Sequence, residues 1–329
     1  MMRVGVLGLG RIGALHATTL ARLAAEGVID EVVVSDADSA RAEQIAERLN
    51  VRVGDAFGTD AVVIATPTAT HAALLLESFR RGLPVFCEKP VAVDLQGTLQ
   101  VLEAAKKAGV LVHIGFQRRF DAGYMAAREA VRSGEIGRLD RVHMLTADPR
   151  PPAPGYIPTS GGIYRDCHIH DFDILRWVTG QEVATVYATG ANRGESFFAE
   201  AGDVDNSAAV LTMTDGTLVT LQGSRYNGHG YDVRMELAGT RKTWAVGLDR
   251  RAPLHSAEGF QPTDPPWPDF QTRFEPAYVR EMVAFVEAVR GERESPCTVE
   301  DALAALYIAE AAELSRRENR PVKVTEVIA

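Results

Sequence analysis

The chain has 329 residues, 46 % of them hydrophobic and 24 % charged, with a formal net charge of -9. This length favours two domains over one, the apolar content suffices for true cores, and the acidic balance disfavours a nucleic-acid or anionic-membrane partner. Cys87, Cys167 and Cys297 are few, odd in number and widely spaced, which argues for a reducing compartment, against a disulfide framework and against a Cys-x-x-Cys zinc site. No run of ~18 apolar residues and no basic leader with a cleavage site is present, so a cytoplasmic protein without membrane contact is expected.

Arg3 to Leu7 reads as a buried strand that turns on Gly8-Leu9-Gly10-Arg11-Ile12-Gly13 into a helix over 15–26. The spacing Gly-x-Gly-x-x-Gly between strand and helix is a dinucleotide fingerprint. The first glycine permits the turn, the second lets backbone approach a pyrophosphate, and the third lets helix pack close to strand. The N–H groups and dipole at the helix start favour the phosphate charge. A second strand, Glu31 to Ser35, ends at Asp36, placed to accept the adenosine ribose hydroxyls and repel a 2′-phosphate. NAD is therefore expected over NADP, with Arg41 on the following helix the argument for NADP. Asp38 reads as the cap of the helix over 39–49, a role Asp36 could also fill.

A third strand, Asp60 to Thr66, breaks at Pro67, and a helix follows over 72–81. The loop Thr66-Pro67-Thr68-Ala69-Thr70-His71 thus lies at a strand's C-terminal end, where open α/β sheets place ligands. Thr70 reads equally well as an N-cap and His71 as a solvated first-turn residue. Pro84 to Cys87 is a short strand followed by Glu88-Lys89-Pro90, then a helix over 94–108 and a strand over 110–116. This alternation implies right-handed crossovers and a doubly wound parallel sheet.

Beyond residue 120 the pattern changes. A helix over 124–132, a strand over 138–146, a proline-rich loop over 148–158 and a helix over 169–179 lead into strands 183–189, 207–214, 217–224, 231–238 and 242–246. Asp215-Gly216 reads as a type I′ hairpin turn. Helices over 276–290 and 299–317 close the chain, Thr298 and Asp301 forming a capping box. The expected fold is α/β: an N-terminal Rossmann domain (1–120) and a C-terminal α+β domain (121–329) with a large, mostly antiparallel open sheet.

A nicotinamide enzyme needs a proton acceptor beside the carbon that yields hydride. Lys89, at a strand's C-terminal end, is one candidate. The segment 161–173 offers another, because Asp166 and His170 are four apart and can share a helix face. The alternatives are a helix cap for Asp166 and a metal cluster of His168, His170, Asp171 and Asp173. No supporting ligand is spaced convincingly elsewhere, so no metal is expected, and His168 reads as structural.

Taken together, the glycine turn, the Thr66-Pro67 loop with His71, Glu88-Lys89-Pro90, Gly115-Phe116-Gln117-Arg118-Arg119-Phe120-Asp121 and His170-Asp171-x-Asp173 resemble the Gfo/Idh/MocA oxidoreductases over nearly the whole chain. Within that family the chain is most similar to inositol 2-dehydrogenases. That likeness is carried by Asp148-Pro149-x-Pro151-Pro152, Tyr156-Ile157, Ser160-Gly161-Gly162, Ser224-Arg225 and Gly230-Tyr231-Asp232-x-Arg234-x-Glu236, with Arg273-Phe274, Ala277-Tyr278 and Glu281. Gln117, Cys167, Gly223 and His229 depart from that group's pattern. The resemblance implies oxidation of a cyclic polyol, myo-inositol above all, with Lys89, Asp166 and His170 as the catalytic set. His170 would take the hydroxyl proton, Lys89 would stabilise charge on the same oxygen, and Asp166 would orient one of them. Arg118, Asp148 and Tyr231 would contact the polyol. Gly8, Gly10, Arg11, Ile12, Gly13, Asp36, Thr66, Pro67, His71, Glu88 and Lys89 would hold the cofactor. The resemblance also implies a cis Lys89–Pro90 bond and a homotetramer built on the second-domain sheet. Other inositol isomers, sugars including 1,5-anhydro sugars, and a non-catalytic dinucleotide-binding regulator are the alternatives; a regulator would be expected to have lost at least one of the three catalytic residues.

Overall fold

The computed structural model describes residues 2–259 and 261–328. It divides into one unit of Met1–Gln117 with Pro276–Leu303, and a second of Arg118–Glu275 with Ala304–Ala329. The two closing helices, Phe270–Val289 and Val299–Glu318, each begin in one unit and end in the other. The first starts six residues before the expected Pro276, which lies inside it at the point where the chain changes units.

In the first unit, strands β1 (Arg3–Leu7), β2 (Glu31–Ser35), β3 (Arg52–Val53), β4 (Ala61–Ile64), β5 (Val85–Glu88) and β6 (Val112–Gly115) form a parallel sheet in the order β3-β2-β1-β4-β5-β6. The short β3 has no signal in the sequence. The Val-rich strands read as continuous apolar runs because a parallel sheet is covered on both faces, and all four residues of β4 are buried. Ala17, Leu20 and Leu23 of helix α1 (Arg11–Ala25) and Met282, Phe285 and Val286 pack into the same core as Val4, Val6, Val34 and Phe86. Each of these side chains larger than alanine contributes roughly 1.5–3 kcal/mol on full burial. The strand order reverses between β1 and β4, and the loops after β1, β2, β4 and β5 share the sheet's C-terminal edge, the ligand side of this architecture. Thr298 and Asp301 make the expected reciprocal cap, with bonds of 2.9 and 3.3 Å.

In the second unit, β7 (Leu139–Ala147), β8 (Val183–Ala191), β9 (Asn206–Met213), β10 (Leu218–Ser224), β11 (Asp232–Gly239), β12 (Thr243–Val246) and β13 (Val322–Lys323) form one sheet in the order β12-β11-β7-β10-β9-β8-β13. Burial alternates along β9 and β10, so one face is covered and the other open. All pairings are antiparallel except β7 with β10, which run parallel in the register Ala147↔Ser224. The turn at Asp215-Gly216 is not type I′. That type needs positive φ at both central residues, but among the described non-glycine residues only Asn50 and Asn319 have positive φ. Instead the Gly216 N–H bonds the Met213 carbonyl, and Gly216 alone takes φ +92°.

Candidate active site

In the first unit the candidate residues lie in strand-end loops. Gly8 has φ +85°, and a Cβ on Gly13 would lie 1.9 Å from the Gly8 carbonyl oxygen, so both glycines are demanded by the chain itself. Gly10 differs. It is the N-cap of α1 in ordinary extended backbone, and a Cβ there would meet nothing within 4 Å. The missing side chain leaves open space over the helix start, which is the fit a pyrophosphate requires. Asp36 ties this loop to the end of β2. Its Oδ2 accepts the Leu9 N–H at 2.6 Å and its Oδ1 the Asp38 N–H at 2.8 Å, with Arg41 at 3.4 Å. Burial acts to raise the Asp36 carboxyl, but these N–H donors and the Arg41 charge outweigh it and hold it below the ordinary range. Asp38 caps the next helix through the Arg41 N–H at 3.2 Å, as expected.

His71 is buried, not solvated. Its Nδ1 lies 2.7 Å from the Pro90 carbonyl oxygen and its Nε2 2.8 Å from that of Thr66, so the ring joins the two loops. Thr70 makes no cap bond to the helix His71–Arg80; its hydroxyl bonds Thr66 Oγ1 and the Pro67 carbonyl, closing the Thr-Pro loop. Lys89 follows β5 and precedes a cis peptide bond to Pro90. Glu88, beside it, is held by His16, a fully buried α1 residue whose Nε2 stands 2.7 Å from Glu88 Oε1. Nothing in the sequence singles out His16, because the partner lies 72 residues away.

The second unit gathers Asp148, Tyr156, Asp166, Cys167 and Arg225. Asp166 ends a short helix, Ile163–Asp166, and His170 stands in the first turn of the next, Ile169–Thr179. The chain breaks helix at Cys167 and His168, so the two residues are not on one face of a single helix. Nor is Asp166 a cap: its Oδ1 accepts the Tyr156 hydroxyl and its Oδ2 the Arg225 guanidinium, both at 2.8 Å. His170 is partly buried. Tyr231 is 6 % exposed, its ring edge-on to Phe270 and Phe274, and burial pushes its hydroxyl well up.

Beneath these lies a buried network. Arg118, 2 % exposed, donates to Asp171 Oδ1 at 2.5 Å and to Thr146 Oγ1 at 3.2 Å. His168 Nδ1 stands 2.7 Å from Asp171 Oδ2 and its Nε2 2.7 Å from Ser207 Oγ. Burial works to raise Asp171, but Arg118 and the His168 and Thr146 hydrogen bonds outweigh it and hold the carboxyl low. His168 and Asp171 thus face one another and protein groups, and Asp173 binds Arg119. Among the described residues no three His, Cys, Asp or Glu gather as metal ligands. Gly223 is explained here: a Cβ would lie 2.4 Å from His168 Nε2.

Residues 2–116 match the oxidoreductase family with NAD-binding Rossmann fold, and residues 124–245 the GFO/IDH/MocA C-terminal domain. The chain is 38 % identical to the inositol 2-dehydrogenase of Rhizobium meliloti, covering 98 % of this chain and 99 % of that one. It is 34 % identical to the myo-inositol 2-dehydrogenase of Thermotoga maritima over 99 % and 100 % of the two chains. A solved scyllo-inositol dehydrogenase from Lactobacillus casei, with bound NAD(H) and scyllo-inositol, superposes with a TM-score of 0.86 at 28 % identity, covering 99 % of each chain. With both family domains in sequence and the parallel sheet carrying the glycine turn, the chain belongs to the Gfo/Idh/MocA family of NAD-dependent oxidoreductases.

Proposed function

We propose that this chain oxidises one ring hydroxyl of a cyclic polyol, most closely myo-inositol to 2-keto-myo-inositol (scyllo-inosose). The observation that carries the reading is full-length similarity to inositol dehydrogenases in a chain that keeps Lys89, Asp166 and His170. Gly8, Gly10, Arg11, Ile12 and Gly13 hold the pyrophosphate, Asp36 the ribose, and Thr66, Pro67, Glu88 and Lys89 the nicotinamide side. His71 serves that side through the two carbonyls it bridges. NAD, when bound, supplies the hydride acceptor.

The residues of this chain handle the proton and the developing charge. His170 takes the hydroxyl proton as the carbon gives up hydride. Lys89 donates a hydrogen bond to the same oxygen and stabilises its negative charge. Asp166, fixed by Tyr156 and Arg225, orients Lys89 or His170 and accepts from a hydroxyl of the polyol. Asp148 and Tyr231 bind the remaining hydroxyls. Arg118, the third polyol contact, already gives two of its nitrogens to Asp171 and Thr146.

The test is NADH formation by purified protein with myo-, scyllo- and D-chiro-inositol, glucose, xylose and 1,5-anhydroglucitol, each with NAD and NADP. Turnover of myo-inositol with NAD is expected to dominate. Because a structural relative carries scyllo-inositol, preference for that isomer would mean that an equatorial rather than an axial hydroxyl is oxidised, with the same product and the same chemistry. No turnover of any polyol, with NAD still bound, would overturn the reading in favour of a non-catalytic role.

A further inference from the structure

The one parallel pairing in the second sheet has a chemical consequence. Ala147 and Ser224 are in register at the ends of β7 and β10, so the next residues, Asp148 and Arg225, leave the sheet side by side. Arg225 is only 3 % exposed, and its terminal nitrogens reach Asp166 Oδ2 at 2.8 Å and Asp148 Oδ2 at 3.6 Å. Tyr156 takes the other oxygen of Asp166 at 2.8 Å, and the Cys167 thiol approaches Asp148 at 3.8 Å. One buried cation therefore lies between two carboxylates supplied by different strands and helices.

Two converging carboxylates normally cannot both ionise; one keeps a proton unless a cation intervenes. A guanidinium suits that role, because it stays charged at any working pH and its planar fork can serve two acceptors. The charged and titratable groups facing this cluster are Asp148, Asp166, Cys167 and Arg225, with Tyr156, Tyr231 and Arg118 at its edge. Burial pushes the Asp148 carboxyl up, Arg225 opposes that, and Asp166 adds to the rise. The charges of Arg225, Asp148 and Asp166 sum to one negative.

We propose that Arg225 is a positioning residue of the reaction: it keeps Asp148 and Asp166 ionised together, so the pair forms an acceptor for two hydroxyls of a neutral polyol and disfavours anionic sugar acids. The proposal rests on the assignment of Asp166 to the polyol site made above. An ionised carboxylate has about four acceptor sites, so the bonds from Tyr156 and Arg225 do not by themselves exhaust Asp166 as an acceptor. Arg225 acts through these carboxylates and needs no contact with the substrate.

The experiment compares the wild type with R225Q, R225K, D148N and R225Q/D148N, each checked for fold by its urea midpoint. In R225Q the carboxyl pair is expected to titrate about 1–3 pH units higher, the span an adjacent opposite charge controls, and so to add a second ionisation to the acid limb of kcat/KM that His170 sets as base, while the Kd for NAD changes less than about twofold. R225K should return part of that shift. A purely structural arginine would lower kcat without moving the limb.

Carboxyl 13C NMR of aspartate-labelled protein reads the same ionisation without substrate. A raised titration is expected in R225Q and its return toward the wild-type value in R225Q/D148N, where one carboxylate is gone. If wild type oxidises polyols but neither the limb nor the NMR titration moves in R225Q, the proposal is overturned. If R225Q does not fold, R225Q/D148N compared with D148N decides: an Asp166 titration identical with and without the arginine would equally overturn it. If wild type oxidises no polyol while the NMR titration still shifts, the charge role stands and the polyol reading fails.

Discussion

Lys89 carries the sharpest residue-level test. Lys89→Ala should lower kcat at least about 100-fold, within the range that a positioned proton-handling group supplies, and leave the NAD Kd within about twofold. Stopped-flow turnover with equilibrium NAD titration reads both, and full activity would dismiss the mechanism. Asp36→Ala should weaken NAD about 10-fold or more, the scale of lost hydrogen bonds to a charged group. It should also narrow the preference over NADP, because Arg41, now 3.4 Å from both Asp36 and Asp38, is released toward a 2′-phosphate. KM values for the two cofactors check this, and an unchanged ratio would make Asp36 purely a loop tie. Asp171→Asn breaks a buried pair and should destabilise by about 3–5 kcal/mol. Because the folded-state pKa of Asp171 is depressed, its stabilisation is complete above the ordinary Asp range near ~3.9. It declines as pH falls below that range and is gone once pH passes the folded value. Urea midpoints of wild type and variant should therefore converge as pH drops below about 4. At this scale the sequence points to Lys89, Asp36 and the segment 161–173 as candidates. It did not expose His16 or the pairing of Arg118 with Asp171, whose partners lie 72 and 53 residues away.

At the scale of elements, the glycine turn separates packing from ligand need. Gly13→Ala should cripple folding, since its Cβ would sit 1.9 Å from a backbone oxygen with no soft side chain to yield. Gly10→Ala meets no atom within 4 Å in backbone that alanine adopts freely. Its urea midpoint should stay within about 1 kcal/mol of wild type, the cost of a cap change, while NAD affinity falls because a methyl group occupies the approach to the helix start. Paired denaturation and NAD titrations check both variants, and normal NAD binding by Gly10→Ala would remove the pyrophosphate from that turn. The element sequence was readable for physical reasons. Val-rich runs between amphipathic helices demand a sheet covered on both faces, and Gly180 ends the helix Ile169–Thr179 in left-handed backbone where expected. The two-residue strands β3 and β13 were not readable, because they are too short to carry a period and exist only through their neighbours. The turn at Asp215-Gly216 went astray because the dipeptide suits two loop types, and local sequence does not choose between them.

For the whole molecule, the open face of the second sheet presents Tyr187, Val210 and Leu218, between 38 % and 55 % exposed, on β8, β9 and β10. We expect this face to be the contact of a homotetramer. Light scattering behind size exclusion should give four times the 35.6 kDa chain mass; a monomer at micromolar concentration would exclude it. No helix among the described residues is long and apolar enough to cross a membrane. The sequence by itself determined the parallel Rossmann sheet, its cofactor turn and the family, because these depend on local features: glycines that permit a turn, apolar runs of fixed period and short motifs at strand ends. The tertiary structure alone decided which charges meet. The parallel register of β7 with β10 brings Asp148 beside Arg225, and the break between two short helices turns Asp166 onto that cation. Both outcomes depend on sheet register and burial, where electrostatic forces act between residues that sequence spacing leaves far apart.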